Sequence, residues 1–234
     1  MLLQLEGLSV RFGGVEALSG LDLQLAEGQA LGLMGANGCG KTTLFNAITG
    51  IVRPSAGRIR FDGRDITAAP THAIARSGIA RTFQAVRLFP AMTVADNIAR
   101  ADRAGRADAV EQALECVGLA GRHHLLAGEL SLVDQRRLEV ARLLARAPRL
   151  VLMDEPASGL SLPETEAMVA LLADAVLPGR TAILAEHKPW VLAALCPVAL
   201  LLDQGRKAKE GPPAELIVGA VDAAPQVIHK GGVA

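Results

Sequence analysis

Apolar and polar side chains alternate from Leu2 to Val10 (Leu3, Leu5, then Leu8 and Val10), which predicts a half-buried strand. Leu18 to Leu25 alternates in the same way. Ala30 to Met34 is a short apolar run that ends at Gly35 and predicts a central strand. The spacing of Leu44 and Ile48 predicts a helix over Lys41 to Thr49, stopped by Gly50 and Pro54. Arg58 to Phe61 followed by Asp62-Gly63 predicts a strand and a turn. Arg87 to Pro148 is mostly helical in pattern, with breaks at Gly105, Gly118 and Gly128. Leu150 to Met153, Ala182 to Ala185 and Val198 to Leu202 predict three further buried strands. Strands alternating with helices imply an α/β domain with a mostly parallel core sheet. The residues from about 225 to 234, with Gly231 and Gly232, predict a loose tail.

Composition narrows the function classes. Half of the 234 residues are hydrophobic, which argues against disorder. Lys plus Arg and Asp plus Glu are both 24, so the basic excess of a nucleic-acid binder is absent. With five Phe, one Trp and no Tyr, platforms for stacking single-stranded bases are also missing. Met1 to Arg11 lacks the pattern of a signal peptide. The greasiest stretch, Val191 to Leu202, is interrupted by Pro197 and falls short of the ~20 residues of a membrane span. It reads as a helix end followed by a buried strand. Cys39, Cys116 and Cys196 are odd in number and far apart, which fits neither a disulfide framework nor a zinc site and suits a reducing cytoplasm.

The sharpest chemical signal is Gly35-Ala36-Asn37-Gly38-Cys39-Gly40-Lys41-Thr42, which matches G-x-x-x-x-G-K-[ST] between a strand and a helix. Glycines let the backbone curl around phosphate oxygens with its N–H groups pointing inward. The following helix offers its N-terminus to the same anion. Lys41 supplies an ammonium for the β and γ phosphates, and the Thr42 hydroxyl is a ligand for Mg²⁺, so the expected cofactors are ATP and Mg²⁺. Leu150-Val151-Leu152-Met153-Asp154-Glu155 then places two carboxylates at the C-terminal end of a buried strand, where α/β sites gather. Asp154 suits the metal, and Glu155 suits polarising a water.

In order, these motifs resemble the ATP-binding subunits of ABC transporters, over about Leu3 to Glu215. Arg81-Thr82-Phe83-Gln84, Phe45-Asn46 and Met92-Thr93-Val94-Ala95-Asp96-Asn97 look most like the branched-chain amino-acid uptake branch, with the urea-uptake subunits similar. The resemblance implies a P-loop NTPase core with a mostly parallel sheet. It adds an N-terminal antiparallel β subdomain and a helical subdomain inserted at about 85–149 that docks on membrane subunits, all within a single domain spanning 1–234. It implies that Phe12 stacks on adenine, that Thr43 joins the phosphate loop, and that Gln84 touches Mg²⁺ and the attacking water. It further implies that His187 contacts the γ-phosphate and that Ser158-Gly159-Leu160-Ser161 crosses to a second ATP-binding subunit. The family often has Asp or Asn where Ser161 stands. The implied setting is peripheral, on the cytoplasmic face of the inner membrane. The implied partners are transmembrane permease subunits and, indirectly, a solute-binding protein; no nucleic acid is expected.

One motif departs from the family. Leu130-Ser131-Leu132-Val133-Asp134 stands where the family has Leu-Ser-Gly-Gly-Gln, so both glycines are gone. Ser131 and Asp134 also read as a plain capping box at a helix start. In the family this Ser hydroxyl and the N–H at the second Gly bind the γ-phosphate held by the other subunit. Leu132 and Val133 put bulk where the backbone should come close. The expectation is an ATPase with intact ATP binding and weakened dimer closure. The alternative is a hydrolysis-impaired partner in an asymmetric dimer.

Overall fold

The computed structural model describes residues 1–102 and 108–216. The expected tail at 225–234 and the break at Gly105 lie outside the described residues. The chain opens with a long hairpin, β1 (Leu3–Phe12) and β2 (Val15–Leu25), then β3 (Ala30–Met34) and α1 (Lys41–Ile48). Two strands, β4 (Ala56–Phe61) and β5 (Arg64–Asp65), precede α2 (Thr71–Arg76) and β6 (Ile79–Arg81). Three helices follow: α3 (Val94–Ala99), α4 (Ala109–Cys116) and α5 (Leu132–Ala145). Then come β7 (Leu150–Asp154), α6 (Leu162–Leu171), β8 (Thr181–Ala185), α7 (Pro189–Leu195), β9 (Val198–Asp203) and β10 (Arg206–Gly211).

These strands form two sheets. The first has the order β2-β1-β4-β5 and is antiparallel. The second has the order β10-β9-β3-β8-β7-β6. Its inner pairs are all parallel, and β10 closes one edge antiparallel to β9. Parallel strands are buried on both faces, and here alternation sorts the side chains between two cores. Leu150, Leu152, Ile183 and Ala185 pack with the hairpin, with β4 and with Leu44, Phe45 and Ile48 of α1. Val151, Met153, Ala182 and Leu184 pack on the opposite face with α5, α6 and α7.

The strands predicted from alternation appear with their ends moved by a few residues. Three strands were not predicted, among them β5, which has only two residues. β6 has three residues, too few to show a period. β10, with sequence RKAKEG, is an exposed charged edge, which shields an open sheet margin from further pairing. The helical reading from Arg87 onward needs correction: Arg87 to Thr93 is not helical. Pro90 has no N–H to give a helix. The buried Asn97 instead pins this stretch, accepting from the Phe89 N–H at 2.9 Å and donating to the Phe89 carbonyl at 3.0 Å.

Candidate active site

The C-terminal ends of β3, β6, β7 and β8 lie side by side because those strands are parallel and paired in register. Each end carries one predicted group. The phosphate loop follows β3, Gln84 follows β6, Asp154 and Glu155 end β7, and His187 follows β8. One edge of the sheet thus gathers residues spread over 150 positions of sequence.

The loop is a glycine cradle by necessity at two positions. Gly35 has φ 145°, and a Cβ there would lie 2.3 Å from the Leu202 carbonyl oxygen and 2.5 Å from Cys39 Sγ. Gly40 has φ 115°, and a Cβ would meet the Ala17 carbonyl oxygen at 2.7 Å. Gly40 is also the N-cap of α1 and supplies no side-chain cap. The first N–H groups of α1 are therefore left for an anion. Lys41 folds back onto the loop, where Nζ donates to the Gly35 carbonyl at 2.6 Å and the Ala36 carbonyl at 3.1 Å. Cys39 is buried beneath the loop. Its side chain fills the space that Gly35 leaves.

The two carboxylates have different surroundings. Asp154 forms a buried ion pair with Arg81, Nη2 to Oδ2 at 2.9 Å, both side chains 4% exposed. Glu155 accepts from Gln84 Nε2 at 2.9 Å. Its backbone sits at φ 49°, a left-handed conformation that is rare outside glycine. The Glu155 N–H donates to the Ala185 carbonyl at 2.9 Å, which holds this turn against β8 and sends the side chain towards Gln84. Such stored strain is characteristic of functional turns.

Sequence reading passed over Glu186. It is almost fully buried, and its carboxylate accepts from the N–H groups of Ala157 at 3.3 Å and His187 at 3.1 Å. It thereby ties the turn after Glu155 to the His187 turn. The signal was present: an acid ending an apolar run, as at Asp154. The His187 side chain is 52% exposed, with Nδ1 3.7 Å from Glu186 Oε2. Phe12 is 50% exposed at the tip of the first hairpin. A core role for this aromatic is therefore ruled out.

Thr42, Gln84 and Asp154 were the predicted metal residues. Thr42 is exposed in the first turn of α1, and Asp154 ends β7, which is separated from β3 by β8 on the site edge of the sheet. Hydroxyl, amide and carboxylate oxygens are the hard donors that Mg²⁺ takes, and one carboxylate with open positions for water and phosphate suits its habits. The residues present therefore fit the ion.

Ser131 caps α5: its Oγ accepts from the Asp134 N–H at 3.3 Å and donates to Asp134 Oδ2 at 2.9 Å. Asp134 returns to the hydroxyl rather than to the Ser131 N–H, so the expected reciprocal box is only half made. The same carboxylate is held by Arg122 at 2.6 Å. Leu132 opens the helix with its side chain 44% exposed and lies over Gly159. Ser161 completes a reciprocal capping box with Glu164 at the start of α6.

The family model described as ABC transporter matches residues 18–158. The high-affinity branched-chain amino acid transport ATP-binding protein BraF of Pseudomonas aeruginosa is 37% identical, over 92% of this chain and 93% of its own length. The corresponding protein LivG of Escherichia coli K12 is 34% identical over the same shares, 92% and 93%. The crystal structure of the ADP conformation of MJ1267, an ATP-binding cassette of an ABC transporter, superposes with a TM-score of 0.85 at 25% identity, covering 93% of this chain and 95% of that one. A nucleotide-free cassette from an ABC transporter superposes at 0.83 with 26% identity, covering 94% and 95%. Fold, site edge and relatives agree: the chain belongs to the ABC transporter family and is an ATP-binding, ATP-hydrolysing subunit of it.

Proposed function

We propose that this subunit powers a membrane importer for branched-chain amino acids or similar polar solutes. The observation that carries the reading is the 37% identity to BraF along almost the whole of both chains, joined to the phosphate loop, Gln84, Asp154, Glu155 and His187 at neighbouring strand ends. Among the described residues no helix is long and apolar enough to cross a membrane, so transport would need permease subunits as partners. A solute-binding protein would deliver cargo to them. The subunit would sit peripherally on the cytoplasmic face of the inner membrane. We treat 1–234 as one domain, with 85–149 as the helical lobe that docks on the permease. A groove of about 820 Å³ lies between that lobe and the rest of the domain, lined among others by Ile51, Ile74, Phe83, Arg87, Phe89 and Arg142.

In this reading Phe12 stacks on adenine, and Gly35 to Thr43 wrap the phosphates. Lys41 exchanges two neutral carbonyl acceptors for phosphate oxygens, a charge-assisted and stronger partnership. Thr42, Gln84 and Asp154 would hold Mg²⁺, which would offset the negative charge of the phosphates. Glu155 orients and polarises the water, with Gln84 fixing its carboxylate, and His187 approaches the γ-phosphate from β8. Ser131 faces the nucleotide of a second ATP-binding subunit, so each site needs two chains.

The test is reconstitution with cognate permeases in vesicles, measuring ATP hydrolysis and uptake of labelled leucine together. Hydrolysis stimulated without any uptake of branched-chain amino acids would move the cargo to another solute class.

A second reading is favoured by Leu132 and Val133, which occupy the α5 N-terminus where close backbone approach is expected. Here the chain is the hydrolysis-impaired partner in an asymmetric dimer. Loss of one charged hydrogen bond per closed site, about 1.5–3 kcal/mol, would lower turnover tenfold or more. The Leu132→Tyr, Val133→Gly double variant tests it by ATPase assay with and without a sister subunit. Equal turnover of variant and parent would remove this reading.

A further inference from the structure

Arg81 has no assigned role in the reading above, yet its side chain is tightly held. It ends β6, and its guanidinium is held on four sides. Nη2 donates to Asp154 Oδ2 at 2.9 Å, and Nη1 donates to Asn46 Oδ1 at 2.6 Å. The Phe45 and Phe83 ring centroids lie 5.3 and 4.7 Å from its central carbon. Burial depresses the Arg81 pKa, a shift only partly offset by Asp154, and Nε is buried without a hydrogen-bond partner. A buried cation in this position is costly to maintain, and breaking such a pair by removing one partner strands the other.

We infer that Arg81 is a positioning residue for metal binding: it fixes the rotamer of Asp154 so that Oδ1 is the oxygen presented to Mg²⁺. The inference rests on the reading of Asp154 as a metal-holding carboxylate. Its geometric basis is the occupancy of Oδ2. Among the described residues, Arg81 supplies the side-chain hydrogen bond that Asp154 receives, and it spends one arm of a planar fork on that oxygen. The other arm reaches Asn46 on α1, the helix whose first turn carries Lys41 and Thr42. One guanidinium thus ties the metal carboxylate of β7 to the helix that carries the metal hydroxyl. Two opposing effects bear on affinity. The positive charge of Arg81 repels Mg²⁺, whereas its anchoring holds Asp154 in the binding rotamer. With Asp154 only 4% exposed, little water reaches it to replace the anchor, so orientation dominates.

The experiment uses the full chain and fluorescent ADP, titrated in EDTA and at rising Mg²⁺. Arg81→Met is expected to leave nucleotide affinity in EDTA unchanged and to raise the Mg²⁺ concentration for half-maximal enhancement about tenfold, as for one charge-assisted hydrogen bond. Arg81→Lys keeps the charge without the fork and is expected to recover only part of the shift. Asn46→Ala leaves Arg81 in place but frees one arm, and is expected to shift the same curve by less; it keeps the test alive if Arg81→Met does not fold. Electron paramagnetic resonance of Mn²⁺ with bound ADP reads the same change without turnover. Asp154→Asn separates the two levels. If it leaves the metal dependence unchanged, the metal role of Asp154 falls and the inference falls with it. If it shifts the curve while the Arg81 and Asn46 variants do not, or shift it towards tighter metal, Arg81 is not a positioning residue.

Discussion

Gln84 and Glu155, 71 residues apart in sequence, are joined by a hydrogen bond of 2.9 Å from Nε2 to Oε2. Glu155 arrives there on a left-handed backbone turn at the end of β7, and Gln84 on the loop that leaves β6. If Glu155 polarises water, Glu155→Gln is expected to cut ATP turnover by about 10²–10⁴ while nucleotide affinity stays within a few fold. Gln84→Ala is expected to act more weakly on turnover, since it loosens the carboxylate without removing it. ATPase assays beside fluorescent-ATP titrations check both. Loss of nucleotide binding in Glu155→Gln would contradict this division of labour.

Gly35 tests whether the cradle is steric as well as conformational. Gly35→Ala must place a methyl group against the Leu202 carbonyl and the Cys39 sulfur. The loop has to move, and nucleotide binding is expected to fall more than about tenfold, with a stability loss of about 1–3 kcal/mol from overpacking. Isothermal titration with ATP and urea unfolding measure the two effects. The exposed Gly38, where a Cβ would meet nothing within 4 Å, makes the comparison: Gly38→Ala should leave stability nearer to the parent.

Ser161 holds the N-terminus of α6 through a reciprocal box with Glu164, at 2.8 Å from the Ser161 N–H and 2.7 Å from its hydroxyl. Ser161→Ala is expected to lose about 1 kcal/mol of stability, and Ser161→Asn to keep most of it, since Asn is an equally good cap and its amide can still donate to Glu164. The corresponding Tm change for the Ala variant is about 2–4 °C. Scanning calorimetry of the three proteins decides it. An Asn variant as unstable as the Ala variant would mean the hydroxyl has a further duty.

Glu139 on α5 carries a pH dependence of known sign. Burial raises its carboxyl above the ordinary value of 4.5, against the pull of the Arg87 N–H and of Arg136. The folded state therefore binds this proton more readily than the unfolded chain. Its contribution to stability is full below 4.5 and is lost as pH rises through the folded pKa. Glu139→Gln lacks that loss, so the stability of the variant minus that of the parent should increase as pH rises from 4.5. Urea unfolding of both proteins between pH 4.5 and 8 gives the difference. A difference that is constant or falls with pH would contradict the sign.

Arg136 shows how far side-chain contacts extend the site. From α5 it donates to the carbonyls of Phe83 at 3.2 Å and Gln84 at 2.6 Å, and it pairs with Glu139 at 3.2 Å. The helix that Ser131 caps is thereby pinned to the loop that carries Gln84. Phe83 and Gln84 are 53 and 52 positions from Arg136 in sequence, and an arginine in an amphipathic helix reads as solvated surface until the packing is seen.

Local rules sufficed where the signal is local. Alternation marked β1 and β2, because a strand with one buried face repeats every two residues; short apolar runs marked β3 and β7 to β9, and the Asp62-Gly63 turn marked the end of β4. The glycine spacing marked the phosphate loop, because only glycine tolerates the backbone of Gly35 and Gly40. The sequence by itself therefore determined the α/β class, the loop, the two carboxylates and the departure at Leu132 and Val133. Only the tertiary structure decided which carboxylate meets which partner. Arg81 on Asp154, Gln84 on Glu155 and Glu186 beneath His187 all depend on strand order, and parallel neighbours such as β6 and β7 are brought together by a long crossover that leaves no mark in periodicity. Burial was equally out of reach: Cys39 is buried where the chain returns to the loop, its carbonyl accepting from the Gly205 N–H at 2.9 Å, a contact 166 positions away that no window of sequence contains.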